Sequence, residues 1–242
     1  MGQSKVKARL KDVLKAFPGA IWLARRVRSY IGKEPLSREG SDGVKALGHR
    51  TYVGGLWEEI GKLQFDFLVG EGLLPQHYLL DIACGSLRAG VHFIAYLEPW
   101  HYLGIEKEKV LVHAGIEKEL GPELNAEKRP TFVISSNFEF HKFGVRPDYA
   151  LAQSLFTHLT PALIDGCFDK LRETIAPTGA FYATFNEAPS EVVNPDKPHD
   201  HDSFWYTRRQ MLEFGDRHGW LGEYIGDWHH PRNQKMIRYR PA

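Results

Sequence analysis

Cysteine is scarce. Cys84 and Cys167 are the only two in 242 residues, so neither a disulfide framework nor a four-thiolate metal site is available. A reducing compartment is the simplest setting for so few thiols, and a cytoplasmic location is expected. Long apolar runs are missing as well. The start, MGQSKVKARLKDVLKAF, has none, and nothing later approaches the roughly 20 apolar residues of a membrane span, so neither export nor a transmembrane segment is expected. GxxxxGK followed by Ser or Thr does not occur, nor does GxGxxG, which counts against a nucleoside-triphosphate loop and a dehydrogenase fingerprint. No internal repeat, zinc module or familiar RNA-binding insert is evident.

What is present is an ordinary globular composition, 43% hydrophobic and 25% charged, which argues against disorder. The formal net charge of +1 hides an uneven distribution. Residues 1–38 carry ten Lys or Arg against Asp12 and Glu34, about +8, which leaves about −7 for the remainder. Within this arm, KVKARLKDVLKAF and AIWLARRVRSYI read as two helical stretches broken at Pro18-Gly19. A basic apolar-striped arm can dock on the body, cover a substrate or rest on an anionic surface, and the last of these would make the protein peripherally membrane-associated. A solvated helical extension is the plain alternative.

Residues 32–55 are rich in Gly and charge and are expected as loop. LWEEIGKLQFDFLVGEGL then reads as an amphipathic helix ending near Gly70 or Gly72. From HYLLDIACG onward strand-like and helix-like pieces alternate. The strands are expected at HYLLDIACG, YLGIE, TFVIS, YALAQSLF, AFYATF, LGEYIGDW and QKMIRYR, and the helices at LRAGVHFIAYL, KEKVLVHAGIEKEL, TPALIDGCFDKLRETI and TRRQMLEFGDRHG. Such alternation predicts an α/β fold with a mostly parallel sheet covered on both faces. Residues 1–50 are expected as a basic helical extension and loop, and residues 51–242 as the α/β domain.

The most informative stretch is Leu80-Asp81-Ile82-Ala83-Cys84-Gly85-Ser86-Leu87-Arg88-Ala89-Gly90, between a buried strand and a helix. Small residues at Ala83, Gly85 and Ala89 would let a ligand approach the backbone, and the carboxyl end of a strand is the usual binding place in an open α/β sheet. The alternative is a tight strand-to-helix turn. Glu106 closes the next strand, 21 positions after Gly85, a distance that suits an acid accepting hydrogen bonds from ribose hydroxyls. Alone, it would be an N-terminal charge partner of the following helix.

With these residues in place, the sequence resembles the class I S-adenosylmethionine-dependent methyltransferases over roughly residues 53 to 240. DIACGSLRAG stands where that family has its glycine-rich cofactor loop and LGIEKEK where it has its acidic second-strand motif. DYALAQSLFTHL and IAPTGAFYATF match its fourth- and fifth-strand regions. The resemblance implies a Rossmann-like, seven-stranded, mostly parallel sheet flanked by helices, with an antiparallel final strand and an N-terminal helical extension, and S-adenosyl-L-methionine as cofactor. It assigns Asp81 to organising the loop, Ala83 and Gly85 to the methionine part, Glu106 to the ribose and Lys107 to the adenosine flank. Asn137 and Phe138 would lie by the adenine, and Gln153 and Ser154 would face the cofactor amino acid or the acceptor. Two departures stand out: Ser86-Leu87-Arg88 is bulkier than usual, and ISSNFEF lacks the common acid before the adenine contact.

For methyl transfer to oxygen a base is useful. His158, after the fourth strand, is the candidate, with a loop or helix-cap role as the alternative. Arg88, Glu187, His199, His201, Trp205 and Tyr206 are candidate acceptor contacts, although Arg88 can equally serve an internal ion pair and Trp205 can simply pack the following helix. Histidines and carboxylates in the loop after strand five, and His229-His230 in a later turn, have no closed ligand spacing, so no metal is expected. A small-molecule or saccharide acceptor is expected, methylated on oxygen. An RNA or protein methyltransferase is the enzymatic alternative, disfavoured by the acidic body and scattered aromatics. A noncatalytic cofactor-binding or scaffold protein is the other.

Overall fold

The short apolar runs become strands buried from both sides. Leu79–Ile82 (β1) and Tyr102–Glu106 (β2) are buried at every position, as parallel strands sandwiched by helices require. Thr131–Ile134 (β3), Tyr149–Ala152 (β4), Ala180–Glu187 (β5), Trp205–Tyr206 (β6), Trp220–Asp227 (β7) and Lys235–Pro241 (β8) complete the set. The main sheet runs β3-β2-β1-β4-β5-β8-β7, and β6 pairs in parallel with the end of β5. The first five strands are parallel, while β8 is antiparallel to both β5 and β7. This is the expected Rossmann-like sheet with its antiparallel last strand. The order reverses between β1 and β4, which opens a crevice at their carboxyl ends.

The computed structural model describes residues 39–200 and 203–242. The basic helical arm expected over residues 1–38, and His201, lie outside the described residues. Residues Arg38–Ala242 group as one compact unit.

Neighbouring residues of each strand feed opposite cores. Leu80, Leu103 and Phe181 join one cluster, and Leu79, Tyr102 and Tyr182 the other. The first is closed by Pro161–Thr174 (α7) through Ile164, Cys167, Phe168 and Leu171, and by Arg208–Arg217 (α8) through Met211 and Phe214. Thr207 starts α8 with a reciprocal cap, its hydroxyl accepting from the Gln210 amide. The second cluster is closed by Trp57–Gly70 (α3) and Gly90–Tyr96 (α4). In α3 the buried Trp57, Ile60, Gly61, Gln64 and Leu68 fall on one helical face.

Four local departures have physical causes. The segment expected as loop before residue 55 contains Gly40–Leu47 (α1) and His49–Tyr52 (α2); its short helices are held by tertiary bonds that composition does not reveal. The single helix expected over 107–120 splits into Lys109–Ala114 (α5) and a π-helical turn, Gly115–Leu120, before Pro122–Lys128 (α6). β4 stops at Ala152, earlier than expected, and Ser154 takes a φ of 60°. The two-residue β6 arises inside a segment expected as loop and helix start, because its backbone meets Asn186 and Glu187 of β5. Among the described residues no helix is long and apolar enough to cross a membrane.

Candidate active site

The turn leaving β1 is shaped by left-handed backbone at Ala83 (φ 61°), Gly85 (57°) and Leu87 (67°). This winding turns the Gly85 N–H toward the end of β2, where it donates to Glu106 Oε2 at 3.0 Å. The Glu108 N–H donates to the other oxygen, Oε1, also at 3.0 Å. A Cβ on Gly85 would come within 3.0 Å of Val53 Cγ1, so both backbone conformation and space favour glycine there. Burial raises the Glu106 carboxyl above its ordinary value, and the two backbone donors oppose that rise. Beneath the turn, Tyr102 Oη donates to Asp81 Oδ2 at 2.7 Å. Burial pushes Asp81 up to about 6 despite that bond. Thus Asp81, Ala83, Gly85 and Glu106, singled out in the sequence, meet in one place at the carboxyl ends of β1 and β2, beside the switch point of the sheet.

Lys107 continues from Glu106 and pairs with Asp200. Asp200 also accepts from Tyr52 Oη at 2.5 Å and from the Gly40 N–H at 3.4 Å. Burial acts against the charge on Asp200, but these donors outweigh it and hold the carboxyl down at about 2. His199 pairs with Glu39 at 2.7 Å. Glu119 takes His49 Nε2 at 2.6 Å and Arg50 Nη2 at 2.5 Å. Residues 39–52 therefore form a strap tied to Glu108 just after β2, to the π-helical turn after α5 and to the loop after β5. Tyr52 and Glu119 had no sequence motif to announce them.

At the end of β4 lies a buried polar cluster. Arg88 donates through Nη1 to the carbonyls of Val53 (3.1 Å) and Gly55 (3.0 Å), and through Nη2 to Gln153 Oε1 (2.7 Å). Gln153 Nε2 lies 3.0 Å from Ser154 Oγ, 3.2 Å from His230 Nε2 and 3.3 Å from Gln234 Oε1. Ser154 N donates to Thr184 Oγ1 at 2.7 Å, and the Ser154 and Thr184 hydroxyls both reach Gln234 Oε1 at 2.9 Å. Burial lowers His230 to about 4, aided by Arg232 and Arg88, and lowers Arg88 to about 10. Thr184 and Gln234 escaped sequence reasoning, since only the β5-β8 pairing brings them to the crevice.

His158 follows the turn in which Thr157 Oγ1 donates to the Ser154 carbonyl at 2.6 Å. Its Nδ1 lies 3.1 Å from the carbonyl of His199. A carbonyl only accepts, so Nδ1 carries a hydrogen, and in the neutral tautomer this leaves the lone pair on Nε2. Glu187, at the end of β5, accepts from Tyr224 Oη at 2.7 Å. The half-buried Trp205 exchanges backbone bonds with the Asn194 side chain. Tyr206 is buried against Phe214 and donates to the Leu159 carbonyl at 2.5 Å, so its ring belongs to the core. Asn137 is exposed, and its carbonyl accepts from Lys170 at 2.5 Å. Phe138 lines a pocket with Lys170, Glu173 and Thr174 of α7. Among the described residues no group of three or more His, Cys, Asp or Glu side chains is arranged to hold a metal.

No family model matches the chain. Its structure is similar to that of the magnesium protoporphyrin IX methyltransferase ChlM of Synechocystis PCC 6803 with bound SAH, at 12% identity, 90% of this chain and 99% of that chain covered, and a TM-score of 0.60. It is similar to the CcbJ methyltransferase from Streptomyces caelestis at 14% identity, 78% and 92% coverage, and a TM-score of 0.60. The glycopeptide N-methyltransferase MtfA complexed with S-adenosyl-L-methionine matches at 13% identity, 75% and 94% coverage, and a TM-score of 0.58. At these identities the likeness is one of fold, and that fold is the Rossmann-like α/β sheet of these methyltransferases.

Proposed function

We propose that this chain binds S-adenosyl-L-methionine at the carboxyl ends of β1 and β2 and transfers its methyl group to a small-molecule or saccharide acceptor, on oxygen. The observation that carries this reading is the coupling of the Gly85 N–H to the Glu106 carboxylate at 3.0 Å. It joins a small-residue turn after β1 to the acid that ends β2, beside the switch point, in a fold like that of the methyltransferases named above. The residues fit such a cofactor. The Glu106 carboxylate has acceptor capacity beyond its two backbone donors for ribose hydroxyls, and Gly85 itself adds no side chain to the turn, against which Val53 packs.

In this reading Asp81 holds the turn, Ala83 and Gly85 border the methionine part, and Gln153 and Ser154 border the cofactor amino acid or the acceptor. Lys107 flanks the adenosine while anchored by Asp200. Asn137 and Phe138, in the segment after β3, border the adenine. S-adenosylmethionine supplies, when bound, an electrophilic methyl group on a sulfonium. His158 Nε2 takes the proton of an acceptor hydroxyl, and the His199 carbonyl holds the ring in the required tautomer. Glu187, His199 and Trp205 border the acceptor. The reaction runs in the cytoplasm, with the basic residues 1–38 meeting an anionic surface.

Calorimetric titration with S-adenosylmethionine, with NAD as the comparison ligand, tests the reading. Saturable binding of the first and none of the second is expected, followed by an acceptor screen from sugars and phosphosugars to RNA. Folded protein that binds neither would overturn it.

A further inference from the structure

The cluster at the end of β4 has more hydrogen-bond donors than acceptors. Arg88 is buried, yet its partners, the Val53 and Gly55 carbonyls and the Gln153 amide oxygen, are all neutral, and its Nε–H has none. A buried guanidinium ordinarily meets a carboxylate or phosphate. The second imbalance is at His230. Its Nδ1 is approached by the Arg232 backbone N–H at 3.2 Å, and its Nε2 by Gln153 Nε2 at 3.2 Å. The Gln153 amide cannot be reversed, because its oxygen is held by Arg88. With Nδ1 accepting from the Arg232 N–H, Nε2 carries the ring hydrogen and faces the Gln153 amide nitrogen, whose own hydrogens have Ser154 Oγ and Gln234 Oε1 to donate to, so the ring N–H is the donor without an acceptor. Buried donors left without acceptors are costly, and a ligand acceptor that satisfies them binds with that cost relieved.

We propose that Arg88, Gln153 and His230 recognise an oxyanion, a carboxylate or a phosphate ester, carried by the methyl acceptor. This deepens the methyl-transfer reading and rests on it. The cluster reaches from the β1 turn across β4 to Gln234 and His230 ahead of β8, on the opposite side of β1 from Glu106. That position assigns the anion to the acceptor and leaves the ribose side to the cofactor. The turn of Val53, Gly54 and Gly55 lies over the cluster, with Arg88 bonded to its first and last carbonyls and Arg232 to its middle one. An incoming oxyanion takes over the Arg88 fork as the turn lifts, since a bidentate charged acceptor outcompetes two neutral carbonyls.

The test measures inorganic phosphate and acetate binding to the full chain by calorimetry, with and without S-adenosylhomocysteine, at constant ionic strength set by chloride. Saturable binding of one of the two anions at a single site is expected, in both the free and the S-adenosylhomocysteine-bound protein. Arg88→Lys, which keeps the charge but loses the fork, should weaken it about tenfold. Gln234→Glu, which keeps size and adds a negative charge beside the cluster, should abolish it. No saturable anion binding, or binding indifferent to both variants, overturns the proposal. So does competition of the anion with S-adenosylhomocysteine but not with methylthioadenosine, which would give the cluster to the cofactor carboxylate. Failure of S-adenosylhomocysteine itself to bind would instead strike the methyl-transfer reading, with the anion titration still interpretable.

Discussion

Asp81→Asn separates the cost of a buried charge from its use. Asp81 is 5% exposed, and burial moves its carboxyl from 3.8 to about 6. An acid raised in this way holds its proton more tightly in the folded chain than in the unfolded one. The stability it lends is full below pH 3.8 and is lost as the pH rises through about 6. The size of that move corresponds to about 3 kcal/mol. Asparagine keeps an oxygen to accept from Tyr102 Oη but does not ionise. The stability of the variant relative to the parent should therefore climb by about 3 kcal/mol between about pH 4 and pH 7, then level off. Denaturant unfolding of both proteins across that range, with the difference taken at each pH, reads this directly. The same substitution should weaken S-adenosylmethionine binding above about pH 6, where the parent turn is organised by a carboxylate. A stability difference that stays flat across the range would refute the reasoning, because Asp81 would then not be held against its burial.

Other perturbations follow from the same geometry. Glu106→Gln replaces one of the two carboxylate oxygens that accept from Gly85 and Glu108 with a donor, and cofactor affinity measured by calorimetry should fall about 10- to 100-fold. His158→Ala should lower kcat by about two orders of magnitude or more with an unchanged cofactor Kd; a loss below about threefold would dismiss it as the base. Gly61→Ala places a Cβ 2.4 Å from the Arg88 carbonyl oxygen, so α3 must move off the β1 turn. Despite the better helix propensity of alanine, a net loss of about 1–3 kcal/mol is expected in denaturant unfolding.

The strands and the β1-β2 site were legible for a common reason. A parallel strand covered on both faces is mostly apolar, and LLDI and YLGIE, each apolar but for one acid, announce that pattern in a few residues. Gly85 and Glu106 sit at the ends of those runs, so locating the strands located the site. Residues 39–55 were read as loop because their helices have little intrinsic propensity; Asp200, Glu119 and Arg88, far away in sequence, hold them in place. Asn137 and Phe138 were placed by position after β3, and their contacts with Lys170 of α7 came only with the tertiary structure.

Local pattern thus determined the fold class, the strand order's raw material and the turn at Asp81 to Gly85, since periodicity, small residues and strand-ending acids act within a few residues of one another. Tertiary structure alone decided that Arg88 would meet Gln153, His230 and the Val53 to Gly55 turn. Such a cluster draws its members from four separate segments, and nothing in any one of them encodes the partners that desolvate it.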